Sequence, residues 1–81
     1  YVDPNPFKDR CIIEFLSSHN EEITFSLYDL TGKSILSKSL LINKGKNFIA
    51  IDANELPGTG TYLYYVRSGD HSYHGKIVKS E

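Results

Sequence analysis

Glu22-Ile23-Thr24-Phe25-Ser26-Leu27 alternates polar and apolar side chains without a break, and this stretch decides the fold. Successive side chains of a strand point to opposite faces, so a period of two puts Ile23, Phe25 and Leu27 on one buried surface and Glu22, Thr24 and Ser26 on the other face. No long window carries apolar residues at the spacing of a helix. Short blocks rich in Ile, Phe, Tyr, Val and Thr recur instead, separated by Gly, Pro and Asn.

Outward from this strand the pattern repeats. Cys11, Ile13 and Phe15 share one parity between Arg10 and Leu16, with Glu14 opposite, which predicts a strand buried on one face. Thr31-Gly32-Lys33 supplies a glycine for a tight hairpin, and the chain returns over residues 34–42. Leu36, Leu40 and Ile42 fall in one phase of that segment and Ile35 and Leu41 in the other, so its register is weakly specified and its place is at a sheet edge. After the polar turn Asn43-Lys44-Gly45-Lys46, Ile49, Ile51 and Ala53 share a face. Leu56-Pro57-Gly58 predicts a type II turn, Pro setting φ and Gly accepting a positive one.

Tyr62, Tyr64 and Val66 lie opposite Leu63 and Tyr65, so this strand is apolar on both faces and belongs inside a sheet. Ser68-Gly69-Asp70-His71 fits a two-residue turn with Gly69 first, and a last strand follows with Tyr73, Ile77 and Val78. Six strands, with a further short one within residues 1–7, predict an all-β fold: a small antiparallel Ig-like β-sandwich of six or seven strands. Ile13, Phe15, Ile23, Phe25, Leu27, Ile49, Ile51, Tyr62, Tyr64 and Ile77 are its expected core.

Composition narrows the function. The 81 residues allow a single domain, and 40% hydrophobic with 23% charged residues is ordinary for a globular one. Nine basic against ten acidic residues give a net charge of −1, which supplies no global field for nucleic acid or an anionic membrane. No apolar run reaches the roughly 20 residues of a membrane span, so direct membrane insertion is not expected. The absence of Met implies a fragment of a longer protein, and a single cysteine excludes an internal disulfide.

Residues with reactive side chains do not assemble into a catalytic set. Cys11 shares the buried parity of Ile13 and Phe15, so an inert thiol is expected. His71 and His74 are three apart, which on a strand directs them to opposite faces. Asp29, Asp52 and Asp70 sit at turns as acceptors for backbone N–H groups, and no run of alternating acidic residues offers calcium its six oxygens. Tyr62, Tyr64, Tyr65 and Tyr73 offer a sugar-stacking platform or packed rings; a sandwich this small favours core or cross-strand packing. The sequence thus points to no enzyme, no metal and no cofactor.

Four motifs stand in a fixed order: Asn5-Pro6-Phe7, Tyr28-Asp29-Leu30-Thr31-Gly32, Leu56 to Gly60-Thr61-Tyr62, and Lys76-Ile77-Val78. Together they resemble the type A C-terminal sorting domain of the Bacteroidetes type IX secretion system. Two departures are a turn one residue longer, at Pro57-Gly58-Thr59-Gly60, and Cys11 where Thr or Val is usual. The resemblance implies a secretion signal that sends a cargo domain, N-terminal to Tyr1, through the outer-membrane translocon. It also implies removal by an associated sortase-like protease at or upstream of Tyr1. The location implied is periplasmic in transit, then the cell surface or the medium.

Asn5, Pro6, Phe7, Tyr28, Asp29, Gly32, Leu56, Gly60, Tyr62 and Gly69 then read as scaffold. Lys76, Ile77, Val78 and Lys79 read as the recognition strand, because an edge strand offers unpaired N–H and C=O groups while Lys76 and Lys79 face water and meet carboxylates. Other classes that the same fold admits are a carbohydrate-binding or spacer Ig-like module of a secreted glycoside hydrolase or adhesin, and an Ig-like module of an assembly such as a flagellar hook cap.

Overall fold

The computed structural model describes residues 2–69 and 71–81, Asp3 by its backbone alone. Among these, seven strands follow one another: β1 (Val2–Asp3), β2 (Arg10–Ser17), β3 (Glu21–Asp29), β4 (Ser34–Ile42), β5 (Gly45–Asp52), β6 (Gly60–Arg67) and β7 (Ser72–Lys79). One turn of 3-10 helix, Ala53–Glu55, is the helical element of the described residues. The strands form two antiparallel sheets, ordered β1-β2-β5 and β4-β3-β6-β7. Six strands are of full length and β1 has two residues, as the alternation predicts. Compared with a constant-type immunoglobulin sandwich, β4 has changed sheets and pairs with β3.

The alternating stretch is the centre of the core. Phe25 and Leu27 are fully buried and Ile23 nearly so, packed with Cys11, Ile13, Ile49, Ile51, Tyr62, Tyr64, Val66 and Ile77. Phe15 departs from expectation: it is only partly buried, because it lies near the end of β2, where the two sheets open into a cleft. Glu14, expected in water, is half-buried opposite Phe48. Ala53 leaves the strand and enters the 3-10 turn, still packed on the core.

The ambiguous phase of β4 has a structural cause. Leu27 pairs with Leu36 but Tyr28 pairs with Ser34, so Ile35 is an extra residue on the edge strand. A bulge of this kind re-aims side chains, which lets Ile35 and Leu36 both pack against the core despite opposite parity. Leu41 is left exposed.

Two expected turns take other shapes. Gly58 does not adopt a positive φ, so Pro57-Gly58 is no type II turn; the chain reverses through the 3-10 turn, and Gly60, at φ 128°, takes the left-handed position. Gly69 likewise lacks the positive φ of a turn with glycine first. Ser68 closes that hairpin instead, its N–H donating to the His71 carbonyl at 2.8 Å and its hydroxyl accepting from the His71 N–H at 3.1 Å. Asp70, read above as a turn carboxylate, lies outside the described residues. Gly32, at φ 90°, turns the β3–β4 hairpin as anticipated.

Candidate recognition surface at the chain ends

Sequence reasoning treats β7 as an edge with free backbone groups, and the structure corrects this over the terminal motif. The Asn5 side chain lies alongside β7 as a substitute peptide unit. Its Oδ1 accepts from the Val78 N–H at 2.8 Å, and its Nδ2 donates to the Lys76 carbonyl at 3.3 Å. Phe7 continues the pairing: its N–H donates to the Val78 carbonyl at 2.8 Å, and its carbonyl accepts from the Ser80 N–H at 2.8 Å. Phe7 and Lys79 thus form a parallel bridge. The Asn5–Pro6 peptide bond is cis, and the Phe7 ring, 1% exposed, enters the core. Residues 5–7 therefore cover the half of the edge that holds the motif.

Within the motif the side chains divide. Ile77 is fully buried in the core. Val78 is half-buried, with both backbone groups engaged. Lys79, expected in water, shares the inward parity of Ile77 and donates from Nζ to the Leu56 carbonyl at 3.1 Å, which ties β7 to the turn before β6. Lys76 alone of the four has an exposed side chain.

Side-chain hydrogen bonds within the middle motifs hold two turns. Asp29 Oδ1 accepts from the Thr31 hydroxyl at 2.6 Å, the Thr31 N–H at 2.9 Å and the Lys33 N–H at 3.0 Å, closing the hairpin around Gly32. The Thr31 hydroxyl above all holds the Asp29 carboxyl below its ordinary pKa. The Tyr62 hydroxyl donates to the Gly58 carbonyl at 2.7 Å and accepts from the Gly58 N–H at 3.2 Å, while its ring is buried. Leu56 is buried beneath the same turn.

Cys11 is fully buried, and burial pushes its thiol up to about 11, away from thiolate reactivity. His71 and His74 are both exposed. Among the described residues no three of His, Cys, Asp and Glu gather as metal ligands, and no helix is long and apolar enough to cross a membrane. Tyr62 and Tyr64 are core rings, so they cannot stack on a sugar.

Sequence reasoning missed two features. Gly75 lies across from Tyr64, and a Cβ there would stand 2.6 Å from the Tyr64 hydroxyl oxygen and 2.7 Å from its ring. A glycine inside a strand pattern is the signal that exposes such a close approach. The second is a ring cluster on the outer face of the four-stranded sheet: Tyr28 meets Tyr65 edge-on at 5.6 Å, and His74 stacks on Tyr65 at 5.9 Å. Its members come from three strands, so only the pairing brings them together.

The chain matches the family described as secretion system C-terminal sorting domain over residues 1–80. Comparison with curated proteins and with solved structures finds no match. That family consists of sorting signals of the type IX secretion system rather than enzymes; such a signal engages that machinery and sends protein toward the cell surface or the medium. The ordered motifs, the all-β sandwich and the match along nearly the whole chain agree, and the protein belongs to the family of type IX secretion C-terminal sorting domains.

Proposed function

We propose that the domain is the export address of a cargo that precedes Tyr1, that it passes through the periplasm folded, and that the outer-membrane translocon reads the closed sandwich. A sortase-like protease then cuts at or upstream of Tyr1, so the domain is a substrate and not a catalyst. The observation that carries this reading is the family match over residues 1–80. No observation favours a carbohydrate-binding module.

The four residues of the terminal motif divide the recognition task. Ile77, Val78 and Lys79 hold the last strand in the sandwich through the core, the Asn5–Phe7 contacts and the Leu56 carbonyl. Lys76, exposed beside them, meets the partner. Motif residues therefore support recognition by fixing a shape as well as by contact.

The test is a reporter fused behind a signal peptide and ahead of residues 1–81, expressed in a cell with the type IX machinery. Lys76→Glu changes stability by no more than about 0.5 kcal/mol, because it alters an exposed side chain. The expected result is a folded domain whose reporter is retained. Normal export of this variant would place recognition away from Lys76. Mass spectrometry of the exported wild-type reporter should end it at or before Tyr1; a reporter still carrying the domain would contradict the cut.

A further inference from the structure

We propose that the outer face of the four-stranded sheet is a docking surface for a protein partner that presents a carboxylate beside an apolar side chain. The inference rests on the sorting function proposed above and locates the contact on a sheet face rather than on the strand edge.

The register builds this face. Tyr28 pairs with Leu63 and Leu63 with Lys76; one step along, Ser26 pairs with Tyr65 and Tyr65 with His74. Residues directly opposite share a face, so rings from β3, β6 and β7 form one cluster with Leu63 at its side. The Arg67 guanidinium lies over the Tyr65 ring at 5.7 Å from its centre. Next to the rings, the Asp29–Gly32 hairpin and the sheet enclose a cleft of about 300 Å³, lined by Tyr28, Leu63, Tyr65 and Arg67, with exposed Leu30 at its rim. Edge-to-face and stacked contacts hold the rings in place before any partner arrives, which lowers the ordering cost of binding.

Charge selects the occupant. Arg67 and Lys76 stand on either side of the Tyr65–His74 pair, and among the described residues neither forms an ion pair. The Asp29 carboxylate at the cleft is already taken up by Thr31 and Lys33, and Glu22 lies at the far corner, opposite Leu41. A domain of net charge −1 thus presents a locally positive, ring-lined surface. Tyr and Arg are the residue types on which binding energy concentrates at protein interfaces. Two sequence motifs converge on it, one through Tyr28, Asp29 and Gly32 and the other through Lys76. The cleft at the other end of β3, about 310 Å³, has no Arg or Lys among its lining residues, and its carboxylate, Glu21, accepts from the Ser17 hydroxyl at 2.7 Å.

The test uses the same reporter fusion with Arg67→Glu, and separately with Tyr65→Ala plus Arg67→Glu. Phe48→Ser, at an exposed site on the other sheet, is the control. Expected is at least about a tenfold fall in exported reporter for Arg67→Glu, the effect of losing an anchor worth about 1.4 kcal/mol, and a larger fall for the double variant. Phe48→Ser should export normally, and purified Arg67→Glu should melt with the wild type. Normal export of both face variants would overturn the docking surface and leave the sorting function standing, whereas failure of the wild-type fusion to export would overturn both. Arg67-dependent binding of the purified domain to anionic phospholipid vesicles would overturn the protein partner in favour of a lipid surface.

Discussion

Along β7, the half from Ser72 to Gly75 has outward backbone groups that meet no chain partner among the described residues, whereas from the Lys76 carbonyl onward, through Val78 to the Ser80 N–H, they are bonded to Asn5 and Phe7. Both halves pair with β6 in one unbroken register, so the difference comes from the N-terminal segment alone. An open edge is a template for another chain's strand. The protein leaves that template open where no motif lies and closes it over the motif. On β7, strand addition is thereby confined to the first half, and the second half offers a partner side chains and shape.

The severest break of this comparison is Phe7→Ala, which empties a fully enclosed core site and should cost about 3 to 5 kcal/mol. Thermal melting reports the loss. Labelling of Cys11 by a thiol reagent at neutral pH, slow in the wild type because the thiol is buried, should accelerate strongly in the variant. Gly75→Ala acts at the boundary between the halves. The new methyl must displace the Tyr64 ring, at about 1 to 3 kcal/mol, visible as a lower melting temperature.

Asn5→Ala sharpens the comparison without touching the core. It removes both side-chain bonds to β7 at about 1 to 2 kcal/mol and should raise hydrogen exchange at Val78 toward that at His74, leaving β2 and β3 protected. Smallest are the lysines. Lys79→Glu should cost about 1 kcal/mol because Leu56 loses its donor, while Lys76→Glu should melt within about 0.5 kcal/mol of the wild type. Equal effects from the two would deny that Lys79 is structural.

How far these features are legible in the sequence depends on their range. Alternation at Ile23, Phe25 and Leu27 reports burial directly, since one face of a sheet requires it, and the edge position of β4 shows in its mixed phases. Gly32 was readable because its hairpin demands a positive φ; Gly58 was not, because two nearby glycines could serve and Gly60 does. The Asn5 contacts join residues 71 and 73 positions apart through a side chain, which no local pattern encodes. Lys79 misled for a related reason: its charge suggests water, but its parity with Ile77 was the better guide. The ring cluster needed the register of three strands before Tyr28, Tyr65 and His74 became neighbours.

On the proposed function, residues 1–81 suffice as an address for type IX secretion. It is tested most directly by exporting a signal-peptide reporter fused ahead of them, measured outside cells that have the machinery and outside otherwise identical cells lacking the translocon. External reporter is expected in the first and reporter held in the periplasm in the second. Equal amounts outside both, or retention in both with the domain folded, would contradict it.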